Sequence, residues 1–193
     1  MALLTTTIGA YPKPDYVPTP DWFRARNLNI PHPTEAYDQF LHTQAGDAEA
    51  LEALLVRGTH EAVLDQVNAG IDVPSDGEIR RENYIHYHCR HLDGIDFSHL
   101  TQKTMRAGTW EAEVPTIIGP IKARDRFLPQ DWEIAQSVTD RPIKITVPGP
   151  LTLTDTLADL YYDDEKRLGA DLADALNVEI QALAEAGCTW SSG

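Results

Sequence analysis

The stretch Ile71-Asp72-Val73-Pro74-Ser75-Asp76-Gly77-Glu78-Ile79-Arg80-Arg81-Glu82-Asn83 decides how this chain folds. An amphipathic helical pattern ends at Gly70, so Ile71 and Val73 read as a short buried strand entered through a glycine helix stop. Asp76, Glu78, Arg80, Arg81 and Glu82 then stand at the strand's C-terminal mouth, where parallel α/β folds place their working groups. The competing reading is a solvated turn whose charges neutralise one another. Arg80 and Arg81 carry the same ambiguity, since they can receive an anionic tail or pair with Asp76 and Glu82.

Working outward, Leu51, Leu54, Leu55, Ala62, Val63 and Val67 recur at helical spacing between Asp47 and Asn68. Leu3 to Ile8 is apolar and β-branched and is bounded by Gly9, which predicts a first strand. The prolines clustered between residues 10 and 34 predict an extended loop. Downstream, Val114 to Ile121 and Pro142 to Val147 predict strands, and Pro148-Gly149-Pro150 closes the second with a rigid turn. Asp163 to Gly187 is the strongest helical pattern, with Leu168, Leu172, Leu176, Ile180 and Leu183 as its apolar stripe and acidic residues near its start. Cys188-Thr189-Trp190 reads as the opening of a further strand. Strand and helix patterns alternate, which favours an α/β fold with parallel strands, and no composition shift divides residues 1 to 193 into separate domains.

At 193 residues and 42% apolar content the chain can bury one real core. A formal net charge of -14, with 16 scattered Lys and Arg residues, argues against a nucleic-acid partner. No apolar run approaches the roughly 20 residues that span a bilayer, so no membrane partner is expected, and the N-terminus lacks the basic region of a signal peptide. Those features predict a cytoplasmic protein in which Cys89 and Cys188 are reduced thiols.

The segment Tyr84-Ile85-His86-Tyr87-His88-Cys89-Arg90-His91 invites a zinc assignment. His86 and His88 share a face of a strand, and His88 and His91 a face of a helix, but no single regular element presents His86, His88, Cys89 and His91 together. A structural or substrate-lining role is the simpler expectation, and no metal ligand is assigned.

Four separated segments together resemble one family: Thr5 to Pro12, Asp72 to Asn83, Pro148-Gly149-Pro150-Leu151-Thr152, and the helix ending Glu185-Ala186-Gly187-Cys188. In order and spacing they are similar to the catalytic barrel of cobalamin-independent methionine synthase and its shorter relatives, a fold shared with uroporphyrinogen decarboxylase. The resemblance implies a partial (β/α)8 TIM-type barrel, with this chain as its first half. It implies a 5-methyltetrahydropteroyltriglutamate-homocysteine S-methyltransferase-like function in methionine biosynthesis, in which zinc activates a homocysteine thiol. The methyl donor would be a reduced folate or another carrier. Ile8, Gly9, Ala10 and Glu78 match family residues that hold the amino-acid part of the substrate. A turn at Gly9 offers amide donors to a carboxylate, and Glu78 accepts from an ammonium group.

Departures from the family pattern accompany these matches. Ala10 stands where larger members usually have serine, Thr156 falls near a family tryptophan, and Trp110 and Glu111 fall near an arginine and cysteine pair. The family's zinc ligands have no counterparts here, so the chain taken alone is not expected to transfer methyl groups. Two further expectations stand beside the enzyme: a non-catalytic half-barrel that self-associates through its open edges, and a decarboxylase-like barrel.

Overall fold

A side chain near each end of one long helix settles how the first strands are held. The computed structural model describes residues 3–19, 40, 47–105 and 110–192. Its elements run α1 (Ala48–Asn68), α2 (Tyr84–Cys89), β1 (Leu92–Met105), β2 (Trp110–Ala123) and α3 (Leu128–Gln136). There follow β3 (Lys144–Thr146), α4 (Pro150–Thr156), β4 (Ala158–Asp159), α5 (Glu165–Ala186) and β5 (Trp190–Ser192). The fold is α/β, and the chain divides into two compact units: the described parts of Met1–Tyr84, Leu128–Thr146 and Leu183–Ser192, and those of Ile85–Phe127 and Val147–Ala182.

In the first unit, Asp47 caps α1 by accepting from the Ala50 amide at 3.1 Å. The helix buries Leu55, Ala62 and Val63, as the sequence spacing predicts, and Leu55 and Ala62 pack with Val17 and Ile79. Gln66, near the end of the same helix, is also buried. Its side-chain oxygen accepts from the Ser75 amide at 2.9 Å and its nitrogen donates to the Ser75 carbonyl at 3.0 Å. One side chain thereby satisfies both backbone groups of a residue that a regular ladder would have paired.

The strands expected at Leu3–Ile8 and Ile71–Val73 form single parallel bridges, Thr6 with Val73 and Ser75 with Lys144, while β3 and β5 pair in parallel. Four chain segments therefore stand as parallel neighbours in sequence order. The first two are short because side chains take the place of ladder partners. Asp72 accepts from the amide and hydroxyl of Thr5, both at 2.8 Å, and Gln66 occupies Ser75. Those hydrogen bonds hold the Asp72 carboxyl below the usual carboxylate range.

The second unit departs from the expectation of purely parallel strands. β1 and β2 form a long antiparallel hairpin with register shifts after Asp93 and Asp96, and β4 joins β2 in parallel at Thr116 and Ile117. The sequence of β1 has no alternation, because Gly94 and the turn Asp96–Ser98 interrupt it. Asp96 Oδ1 accepts from the Ser98 amide and hydroxyl at 2.7 and 2.6 Å. The α4 helix begins at Pro150, with Gly149 as N-cap, so Pro148-Gly149-Pro150 starts a helix as well as ending a strand. On α5, Leu168, Leu172, Leu176 and Leu183 are buried, but Ile180 is 42% exposed; Ala175, Glu179 and Ala182 occupy the buried face in its place.

Residues 20–34 of the proline-rich segment lie outside the described residues. No helix among the described residues is long and apolar enough to cross a membrane.

Candidate functional site

Gly77 and Glu78 both take left-handed backbone conformations, at φ 70° and 54°. Glycine adopts this freely, but for glutamate it carries a conformational cost that the surrounding structure must hold in place. The turn they make turns the Glu78 side chain back toward the first segment, where it is buried with 7% exposure. Glu78 Oε1 accepts from the Thr146 hydroxyl at 2.7 Å. A Cβ built on Gly9 would lie 2.5 Å from Glu78 Oε1 and 2.9 Å from Thr146 Cγ2. Only glycine fits between that carboxylate and β3.

Arg81 completes the arrangement from the same turn. Its guanidinium is fully buried, donates from Nη1 to the Thr146 carbonyl at 2.8 Å and hydroxyl at 2.9 Å, and pairs through Nη2 with Asp76 at 3.1 Å. A buried pair of this kind is tolerated only where further hydrogen bonds satisfy it, as they do here. Arg80 points to different partners, forming a two-pronged pair with Glu52 at 3.0 and 2.6 Å and a contact to Asp131 at 3.0 Å. Of the two arginines, therefore, Arg81 belongs to the Glu78 network and Arg80 ties the turn to α1 and α3.

The Thr7–Gly9 carbonyls face protein groups. Lys144 Nζ donates to the Thr7 carbonyl and, at 3.5 Å, to the Ile8 carbonyl, and the Ser75 hydroxyl donates to the Gly9 carbonyl at 2.9 Å. The Tyr11 amide is held by the Gly77 carbonyl at 2.9 Å. Among the described residues, no acceptor hydrogen-bonds the amides of Ile8, Gly9 or Ala10. The Ile8 side chain is 91% exposed, so what this residue offers the site is its backbone.

Burial pushes the Lys144 ammonium down from its ordinary range, and the charges of Asp76 and Glu78 oppose that fall. Burial raises the Tyr84 phenol, the charge on Glu78 adds to the rise, and Arg81 counters it. Glu78 thus stands as an acceptor beside a turn whose three amides, at Ile8, Gly9 and Ala10, make no hydrogen bond to the described residues. The chemistry complementary to that pair is a zwitterion, with an ammonium at Glu78 and a carboxylate at the turn.

A family model for the catalytic domain of the cobalamin-independent synthase matches residues 3–190. The chain belongs to this cobalamin-independent synthase family. It is similar to the methionine synthases of Saccharolobus solfataricus, at 31% identity over 187 residues, and Saccharolobus islandicus, at 33% over 188. Each comparison covers 96% of this chain and 50% of the relative, so the chain spans about half the length of the curated relatives it matches. Among solved structures it resembles a B12-independent methionine synthase from a Shewanella species in complex with selenomethionine, with TM-score 0.79 and 30% identity over 98% of this chain and 51% of that one. A protein from Listeria monocytogenes at 24% identity, with TM-score 0.60, shares the fold.

Of the expected substrate-binding residues Ile8, Gly9, Ala10 and Glu78, the structure brings Gly9 against Glu78, while the Ile8 side chain is exposed. The histidine segment does not converge. His86 meets Phe97 edge-on at 6.0 Å between ring centres, and His88 meets Phe127 edge-on at 5.4 Å. His91 stacks on Phe127 at 3.8 Å, with Nδ1 2.8 Å from Asp125. No group of three His, Cys, Asp or Glu residues among those described is placed to hold a metal ion. The donor set that zinc needs does not fit these residues, and no chemical step is derived through it. Cys89 is buried and Cys188 half-buried, and the two form no disulfide. The Thr156 hydroxyl is turned onto its own helix, donating to the Thr152 carbonyl at 2.7 Å.

Sequence reasoning missed Thr146 and Lys144. Their signal was present in Ile143-Lys144-Ile145-Thr146-Val147, where two polar residues alternate through an otherwise apolar strand and mark one face of it.

Proposed function

We propose that these residues form the amino-acid-binding half of a methionine-synthase-type (β/α)8 barrel, that residues 1–193 are one barrel-half domain, and that the ligand is homocysteine or a close thioether relative. Glu78 receives the ammonium, and the amides of Ile8, Gly9 and Ala10 receive the carboxylate. What carries the reading is the fit of Gly9 against the Glu78 carboxylate, beside turn amides that make no hydrogen bond to the described residues. The parallel order of the first four chain segments supports the half-barrel, because consecutive parallel neighbours are how such a barrel begins. Support for the ligand class comes from the selenomethionine complex of the Shewanella protein.

Methyl transfer from a reduced folate or another donor to a zinc-held thiolate would be the activity of the whole barrel. The residues described here contribute binding and orientation of the amino-acid end. A cytoplasmic location is part of the same proposal, in keeping with chemistry on small metabolites. Calorimetric titration of the chain with methionine tests the reading: binding that weakens at least about tenfold in Glu78→Gln supports it, since hydrogen bonds to charged groups are worth ~1.5–3 kcal/mol. Equal binding by the variant would remove Glu78 from the site.

A further inference from the structure

We infer that one face of β3 positions both halves of this site, and that Thr146 is a positioning residue that aims Glu78 at the ligand's ammonium. The inference rests on the amino-acid reading above. Lys144 and Thr146 stand two residues apart, so they share a face of the strand, while Ile145 points the other way into the core. Lys144 engages the Thr7 and Ile8 carbonyls and so fixes the backbone of the turn that carries the Gly9 and Ala10 amides.

Thr146 acts through the direction of a single proton. Arg81 is a donor with no acceptor capacity, so the hydroxyl oxygen must accept from Nη1, at 2.9 Å, and the hydroxyl hydrogen is left for Glu78 Oε1, at 2.7 Å. Asp76 fixes Arg81 from its other prong. Arg81 therefore donates in two directions, to Asp76 on one side and to Thr146 on the other, and Thr146 donates onward to Glu78. Thr146 thereby holds Glu78 Oε1 as an acceptor. Glu78 Oε2 makes no hydrogen bond to the described residues and is the oxygen left for a ligand.

The test compares methionine with its des-amino analogue, in which hydrogen replaces the amino group, using the whole 193-residue chain and calorimetry. Wild type is expected to prefer methionine. Thr146→Val should cut that preference about tenfold, the size of one hydrogen bond to a charged group, and Thr146→Ser should restore it. A merely structural role would weaken both ligands alike and leave the ratio unchanged. If Thr146→Val fails to fold, Thr146→Ala replaces it against the same serine control. An unchanged ratio in Thr146→Val, with the ratio lost in Glu78→Gln, would overturn the positioning role and leave the site standing. A ratio unchanged in Glu78→Gln as well, or a wild type with no preference, would overturn the site and the positioning role together.

Discussion

The turn at Asp76–Arg81 and the helix at Tyr84–Cys89 are both dense in groups that bind things, yet they come out as opposites. In the first, residues from three separate chain segments meet: Gly9 from the first, Glu78 and Arg81 from the second, and Thr146 from β3. In the second, His86 and His88 of the helix and His91 just beyond it use their rings in packing, His86 against Phe97 and the other two against Phe127. Density along the sequence does not make a site; convergence across elements does. A helix turns each residue about 100° from the last, so closely spaced ligands on one turn diverge. Parallel strand ends, by contrast, bring distant residues to one mouth.

The sharpest way to break the contrast is at Gly9. Gly9→Ala places a methyl within 2.5 Å of Glu78 Oε1, so the carboxylate must move. Methionine binding is expected to fall about a thousandfold, equivalent to ~4 kcal/mol, and binding by the variant at wild-type affinity would show that the turn and the carboxylate do not act together. Asp76→Asn comes next, since it removes the carboxylate charge that faces the fully buried Arg81 at 3.1 Å. A loss of about 3 kcal/mol in chemical denaturation is expected, at the lower end for breaking a buried pair; a loss under ~1 kcal/mol would mean that the charge on Asp76 does little to hold Arg81. The histidine region gives the smallest effect. His88→Ala removes a ring packed on Phe127 and should cost about 2 kcal/mol with zinc content unchanged. A fall in bound zinc would show that the segment is a metal site after all.

Much of the fold was legible because it was local. The Asp47 cap, the apolar stripe of α1 and the stop at Gly70 all depend on residues within one element. The same holds for most of α5, although the stripe read through Ile180 bends away from it, toward Ala182 and Leu183. What was not legible was substitution of one kind of hydrogen bond for another. Leu3–Ile8 and Ile71–Val73 have strand sequences, but Asp72 and Gln66 take ladder positions with their side chains, and no periodicity encodes that. Val114–Ile121 was legible as a strand and falls within β2, but its partner β1 was hidden, since bulges at Gly94 and Asp96 erase the alternation that marks a strand. In the site, Glu78 and the Gly9 turn were reached through family likeness, while the residues that aim them lay in an alternating pattern within β3. Arg81 was legible as a charge with Asp76 among its expected partners, but Thr146 was not, because that pairing crosses 65 residues of chain.

The central claim is that Glu78 and the Ile8–Ala10 turn together hold a zwitterionic amino acid, and calorimetry with methionine on wild type and Glu78→Gln tests it most directly. The account predicts saturable binding by wild type and an affinity at least about tenfold lower in the variant. Equal affinities, or a wild type that does not bind, would contradict it.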